Sequence, residues 1–317
     1  MNGKNKVLVV GSVALDDIET PFGSRDASLG GSAVFFSWAC SLFSEVSMVG
    51  VVGDDFPAEY TDDMNRRGID TNGLVVKEGK TFHWKGRYDF DCNIAHTIQT
   101  DLNVFGDFSP ELLGYQKDIP YLFLANIDPV IQLRVAKEMK NPSVIATDTM
   151  NYWIESKRDD LMKVLEITDF LLVNDAEARQ LAEEANLVTA AKKILTWGPK
   201  TIIVKQGEYG VTMFYSSGGA PKIETFSAPS IPLETVTDPT GAGDSFAGGF
   251  IGYLAMNGSI SDETIRRAVV MGSVVASFTV EGFSIDVLRK AQKEEIHKRF
   301  SKLRKISYFE DIEEGLV

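Results

Sequence analysis

The stretch Asp238-Pro239-Thr240-Gly241-Ala242-Gly243-Asp244-Ser245-Phe246 holds the densest chemistry in this 317-residue chain. Gly241, Ala242 and Gly243 are small enough to let main-chain N–H groups converge. The residues that follow, Phe246, Ala247, Phe250, Ile251 and Leu254, recur at helical spacing. A glycine-rich turn that opens a helix is an anion site, because bare N–H groups point outward and the helix dipole adds partial positive charge. Asp244 stands beside that site. A carboxylate next to a phosphate cradle repels the phosphate, so a purely binding role makes poor electrostatic sense. A base that takes a proton from an attacking hydroxyl fits better. The plainer reading of Asp244 is an N-cap after a glycine turn. Two common nucleotide signatures are missing. Gly11-Ser12-Val13-Ala14 is not the dinucleotide fingerprint, and no G-x-x-x-x-G-K-[ST] occurs.

The elements that must carry such a site are legible as short apolar runs. Val7 to Val10, Val46 to Val52, Tyr121 to Ala125, Val144 to Ala146, Phe170 to Val173 and Thr201 to Val204 read as parallel strands covered on both faces. Helical stretches lie between them: Pro129 to Met139, Ala176 to Ala185 and Val188 to Leu195. Ser261 to Phe278 and Ile285 to Leu303 follow, the latter with a basic, solvated face. This alternation predicts an α/β fold, a doubly wound layer around a mostly parallel sheet. Two segments break it. Ser12 to Glu19 carries no helix signal. From Leu74 to Phe108 the residues Phe82, Trp84, Gly86, Tyr88 and Phe90 alternate with His83, Lys85, Arg87 and Asp89, with Glu78-Gly79 as a hairpin-turn candidate. These pieces predict a small β-sheet apart from the main one, a candidate lid near residues 12–30 and 74–108. The plainer alternative is an edge extension of the core sheet.

Composition excludes several classes. The net charge of −13 argues against a nucleic-acid partner, which calls for a basic face, and against an anionic membrane surface. No run of 18 apolar residues occurs, and the N-terminal Met1-Asn2-Gly3-Lys4-Asn5-Lys6 lacks a signal pattern, so the expected location is cytoplasmic. Cys40 and Cys92 make no disulfide framework, and His83, His96 and His297 share no zinc-ligand spacing. The length suits one domain over residues 1–317.

The 238–246 stretch closely resembles the C-terminal signature of the ribokinase-like (PfkB) carbohydrate and nucleoside kinases. Further matches follow in the family's order. They are Gly30-Gly31 before a helix-like run, Val49-Gly50-Val51-Val52-Gly53-Asp54-Asp55, and Arg67-Gly68-Ile69-Asp70-Thr71. Next come Asp148-Thr149-Met150-Asn151, Asn174-Asp175-Ala176-Glu177, and Lys205-Gln206-Gly207-Glu208-Tyr209-Gly210. The resemblance spans residues 7 to about 290. It implies a three-layer α/β/α sandwich with a β lid, and transfer of the γ-phosphoryl group of ATP to a hydroxyl of a small sugar, or alternatively of a nucleoside. A non-catalytic sensor of sugar or nucleotide is the other class of reading, and the intact Asp244 speaks against it.

Carried over residue by residue, the resemblance makes Asp244 the catalytic base and Gly241, Ala242 and Gly243 the anion hole. Asp16 would take hydrogen bonds from acceptor hydroxyls, with Asp17 as its competitor for that role. Gly30 and Gly31 would be hinge and close-approach residues beside the acceptor. Lys205, Gly207, Gly210 and Thr240 would lie near the nucleotide, although the glycines could be hairpin residues and nothing more. Asn174 and Glu177 would order Mg²⁺ and its waters, a role that oxygen ligands suit. The same pair also reads as a capping box. Some members bind K⁺ beside the anion hole, where Asp238, Thr240 and Glu281-Gly282 lie here. Lid-mediated homodimers occur in the family. One departure stands out. Phe35 replaces an Asn that sugar kinases often carry four residues after the second glycine, and its ring reads either as a base-stacking surface or as core packing. Lys80, Lys85 and Arg87 either hold a phosphate on the acceptor or keep the lid soluble.

Overall fold

The computed structural model describes residues 6–216 and 223–310; Met1 to Asn5 lie outside them. In chain order the strands are β1 (Lys6–Val10), β2 (Ala14–Thr20), β3 (Gly23–Gly30), β4 (Glu45–Gly53), β5 (Ile69–Lys77), β6 (Phe82–Tyr88), β7 (Ala95–Asp101), β8 (Tyr121–Leu124), β9 (Val144–Asp148), β10 (Phe170–Asn174), β11 (Thr201–Lys205), β12 (Val211–Ser216) and β13 (Ile223–Ala228). The helices are α1 (Ser32–Cys40), α2 (Ala58–Arg67), α3 (Pro129–Glu138), α4 (Asn151–Ser156), α5 (Arg158–Leu165), α6 (Asp175–Ala182), α7 (Leu187–Leu195), α8 (Ala242–Asn257), α9 (Asp262–Thr279) and α10 (Lys293–Ile306).

Nine strands form one sheet in the order β13-β12-β11-β10-β9-β8-β1-β4-β5, parallel except for the β11-β12-β13 end. Its central strands are mostly apolar because both faces are covered, and the two-residue period sends alternate side chains to different layers. Val7 and Val9 join a core with residues of α1, α8 and α9, while Leu8 and Val10 join one with residues of α3 and α5. Leu171, Val173, Ile202 and Val204 pack with α6 and α7. The result is a three-layer α/β/α sandwich. No described helix is long and apolar enough to cross a membrane.

A second sheet of four strands runs β3-β2-β6-β7. The expected small sheet is thus present, built from residues 14–30 and 82–101. Residues 69–77 instead form the edge strand β5 of the main sheet, so Glu78-Gly79 links two sheets and closes no hairpin. Alternation holds on β6 as far as Tyr88. Phe90 lies beyond the strand and is 87% exposed. Pairing of β2 with β6 sets Asp17 opposite Lys85 and Glu19 opposite Arg87, while Asp16 is opposite Trp84. Lys85 and Arg87 therefore lie on the face away from Asp16, which fits solubility and not acceptor binding.

One expected helix is shorter than its periodicity suggested. Residues 285–303 do not form one helix. A short 3-10 turn at Leu288–Lys290 precedes α10, which starts at Lys293. The intervening loop is fixed by other contacts: Ser284 donates to the Leu29 carbonyl and Arg299 pairs with Glu281 at 2.6 Å. These contacts outweigh the helical pattern of Ile285 and Leu288.

Candidate active site

The carboxyl ends of the parallel strands present a row of polar side chains where the strand interiors are apolar. Asp148 ends β9, Asn174 ends β10 and Lys205 ends β11, and the sheet register sets Asn174 beside Lys205. Ligands of open α/β sheets bind outside these strand ends. Lys205 Nζ pairs with Asp148 Oδ2 at 2.9 Å, with side-chain exposures of 18% and 7%. Asp148 is also bonded at Oδ1 by the Thr149 N–H at 2.7 Å. Sequence reasoning did not place Asp148 in the site, although an acid at the end of a buried apolar strand was a usable signal.

Helix α8 aims its N-terminus at this lysine. Gly241 is its N-cap, with φ of 75°, a conformation that favours glycine. A side chain there would also collide with Phe35, whose ring lies 2.3 Å from the position of a Cβ atom. Phe35 is 1% exposed. It is core packing beneath the glycine turn at 241–243, not a surface for stacking a base. The helix is seated deeply because Gly248 meets the Phe36 carbonyl of α1, 2.3 Å from where its Cβ would stand. Amides of a first helical turn have no intrahelical partner. Ala242 N–H turns back to the Pro239 carbonyl at 3.1 Å, and among the described residues the amides of Gly241 and Gly243 have no hydrogen-bond partner. Lys205 Nζ lies 3.0 Å from the Cβ position of Gly243. A full positive charge therefore reinforces the dipole at the same point.

Asp244 is the third residue of α8. Burial, and then the charge of Asp148, push its carboxyl up to about 7, with Lys205 opposing. Burial likewise raises Glu177 to about 7, again moderated by Lys205. Desolvation acts to lower the Lys205 pKa, but Asp148, Glu177 and Asp244 outweigh it, so the ammonium stays charged. One lysine thus stands among three carboxylates. Asn174 and Glu177 do form a capping box on α6: Glu177 N–H donates to Asn174 Oδ1 and Asn174 N–H to Glu177 Oε2, both at 2.8 Å. Among the described residues no group of three or more His, Cys, Asp and Glu has the arrangement of a preformed metal site. Mg²⁺ keeps several waters and needs only one or two carboxylates, so this oxygen-rich corner fits it.

Asp16 comes from β2 of the small sheet and is 4% exposed. Its carboxylate packs over Gly30, with Oδ2 1.8 Å from the position of a Cβ there. Among the described residues its carboxylate accepts no hydrogen bond, whereas Asp17 Oδ1 accepts from the Ala27 N–H at 2.8 Å and pairs with His83 at 3.2 Å. Asp16 is thus the more buried of the two acids and the one with neither oxygen engaged among the described residues. Gly31, with φ of 98°, caps α1. Ser12 and Ser32 bond reciprocally at 3.0–3.1 Å and clamp the end of β1 to that helix, a support that sequence reasoning missed. Burial, then Asp238 and Asp244, push the Asp16 carboxyl up to about 8.

The folded state consequently binds a proton at Asp16 more tightly than the unfolded chain does. Its contribution is fully present below pH 3.8 and is lost as pH rises towards 8. Asp16→Asn is expected to be more stable than the parent. Its advantage should grow by up to about 1.4 kcal/mol per pH unit across that window. Melting curves at pH 5 and pH 8 check this; an advantage no larger at pH 8 contradicts it.

Asp238 is fully buried. It accepts from the Thr240 N–H at 2.9 Å and the Ser284 N–H at 3.4 Å, tying the glycine turn to the 280–284 loop. Thr240 Oγ1 donates to Tyr88 Oη of β6 at 3.0 Å. Gly207 and Gly210 shape the β11–β12 turn, where Gln206 N–H bonds the Gly210 carbonyl at 2.8 Å. A Cβ on Gly210 would stand 2.2 Å from the Ala228 carbonyl, so that glycine serves packing against β13.

Residues 27–286 match the pfkB family of carbohydrate kinases. The chain belongs to the pfkB family. It is a kinase of the carbohydrate and nucleoside class, a phosphotransferase with a hydroxyl acceptor. A cytidine kinase from Thermococcus kodakarensis is 28% identical over 251 residues, which are 78% of this chain and 88% of that protein. A ribokinase from Lactococcus lactis is 27% identical over 294 residues, 87% and 93% of the two chains. In fold, a provisionally named ribokinase II from E. coli, solved in complex with ATP and Mg²⁺, superposes with a TM-score of 0.75. That match has 20% identity over 94% of this chain and 99% of that one. The pfkB match begins inside β3 and ends after the Asp238–Ser284 contact, so it includes every site residue above except Ser12, Asp16 and Asp17.

Proposed function

We propose that this pfkB protein transfers the γ-phosphoryl group of ATP to a hydroxyl of a small ribose-type acceptor, with Asp244 as the base. The observation that carries the reading is the meeting of Asp244, Lys205 and the Gly241 and Gly243 amides at one point, with the unpartnered Asp16 carboxylate in electrostatic reach of Asp244. Asp16 holds acceptor hydroxyls. Asp244 removes the proton from the attacking hydroxyl. The two amides, the dipole of α8 and Lys205 hold the negative charge that spreads over the migrating group, the usual work of a kinase site. Asp148, Asn174 and Glu177 are the residues that would hold Mg²⁺ and its waters, which would neutralise phosphate charge. The complex of the E. coli relative with ATP and Mg²⁺ supports this choice of cofactors. For K⁺ the support is the family resemblance at Asp238.

A free sugar is the first reading of the acceptor. The cytidine kinase relative favours a second, a nucleoside. Both present ribose hydroxyls to Asp16. The acceptor end holds Asp16 and Asp238 near Asp244, with Arg25 the cation that acts on Asp238. Carboxyls gathered this closely, their pKa values raised by burial and by one another, offer an anionic ligand little balancing charge. Unphosphorylated acceptors are therefore expected to react at least about tenfold better than their phosphate esters, by kcat/KM. A screen of ATP consumption over pentoses, pentose phosphates and nucleosides, with Mg²⁺ and with and without K⁺, tests the reading. A preference for the esters would count against it, and silence across all classes would overturn the kinase assignment of this site.

A further inference from the structure

Tyr88 joins the two sheets at the most sensitive point of the site. It is the last residue of β6 and shares a strand face with Trp84, which is paired with Asp16 across the small sheet. Its hydroxyl accepts the hydrogen bond of Thr240 Oγ1 at 3.0 Å, across 152 residues of sequence. Thr240 immediately precedes Gly241. Its N–H is already held by Asp238 Oδ1 at 2.9 Å. The turn therefore has two anchors: Asp238 of the large layer, which Thr240 reaches through its N–H and its side chain, and Tyr88 of the small sheet, which its side chain also reaches.

The surroundings of Tyr88 show how far this arm of the small sheet reaches. Burial raises the pKa of the phenol, and Asp238, Asp16 and Cys92 lie within electrostatic range of it. The chain then turns through residues 89–94, where Cys92 is 7% exposed. Asn93 Oδ1 stands 3.6 Å from the Cβ position of Gly207 on the β11–β12 turn. The β6–β7 arm thus passes from the acceptor carboxylate, over the anion-hole turn, to the candidate nucleotide turn.

We propose that the Tyr88–Thr240 bond is a latch. Closing of the small sheet makes the bond, and the bond sets the Gly241 and Gly243 amides for phosphoryl transfer. Tyr88 is a positioning residue that acts through Thr240. The kinetic part rests on the kinase reading above; the mechanical link does not.

The test is a double-mutant cycle of Tyr88→Phe and Thr240→Val, read in two ways. The first is steady-state kinetics. Each single variant is expected to lose about three- to tenfold in kcat, the scale of one net hydrogen bond, and the double variant no more than either. Thr240→Ser, which keeps the hydroxyl, should recover the loss seen in Thr240→Val. The second is backbone hydrogen exchange over residues 82–94 and 238–244, which needs no turnover. Exchange should quicken in both segments in each single variant, and by the same amount in the double. Multiplying kinetic losses, or unchanged exchange in Tyr88→Phe, overturns the latch. Linked exchange in a protein that phosphorylates no acceptor would support the latch and sink the kinase reading instead.

Discussion

Replacing Asp244 with Asn is expected to lower kcat by about 10²–10⁴-fold, the range for loss of a general base. Nucleotide affinity should change only a few-fold, because the proposed cradle is made of main-chain amides and Lys205. The pH dependence carries the sharper signature. A base works deprotonated, and Asp244 in the ligand-free enzyme is pushed up to about 7 by burial and Asp148. The kcat/KM value should therefore rise with pH through about 7 and flatten above it. In Asp244→Asn that acid limb should disappear. A variant that keeps more than a tenth of parental turnover, with its limb intact, would show that Asp244 is not the base.

Replacing Lys205 with Met should cost stability as well as activity. Among the described residues the lysine is the cation that stands among Asp148, Glu177 and Asp244. Removing one partner of a buried pair leaves an uncompensated charge and costs about 3 kcal/mol, which for a chain of this length is a fall in Tm of about 5 °C. Turnover should fall at least about tenfold, since a charge-assisted contact to the migrating phosphoryl is lost. The double change Lys205→Met with Asp148→Asn removes both members of the 2.9 Å pair. It should recover most of the Tm and none of the turnover. Calorimetry and kinetics on the three proteins decide this. An unchanged Tm in Lys205→Met would mean that the pair contributes nothing, and full turnover would remove Lys205 from the site.

Much of the architecture was legible because parallel strands covered on both faces leave unbroken apolar runs. Val7–Val10, Phe170–Val173 and Thr201–Val204 all fall within strands as read. The antiparallel β12 and β13 were not read. Thr212, Ser227 and Glu224 interrupt their apolar residues, and neither is a continuous run. The small sheet was legible from alternation on β6, but its border was not, because Leu74 to Lys77 carries the same β signal for a different sheet. Asp244 and the glycine turn were readable because they sit within one nine-residue stretch. The Lys205–Asp148 pair was not, since it joins strand ends 57 residues apart. Phe35 illustrates the reverse limit. Its type allowed both stacking and packing, and only the close approach of Gly241 separates them. The Asn174–Glu177 capping box was legible from spacing, as local main-chain bonding usually is.

The account stands most directly on where the phosphoryl group sits. A crystal structure of the complex with ADP, a planar metal-fluoride mimic of the transferring group, Mg²⁺ and the best acceptor from the screen would show it. The account predicts the mimic at the N-terminus of α8, within roughly 2.6–3.2 Å of the Gly241 and Gly243 amides and of Lys205 Nζ. It also predicts the acceptor hydroxyl within that distance of Asp244. A mimic bound away from α8, or an acceptor hydroxyl out of reach of Asp244, would contradict it.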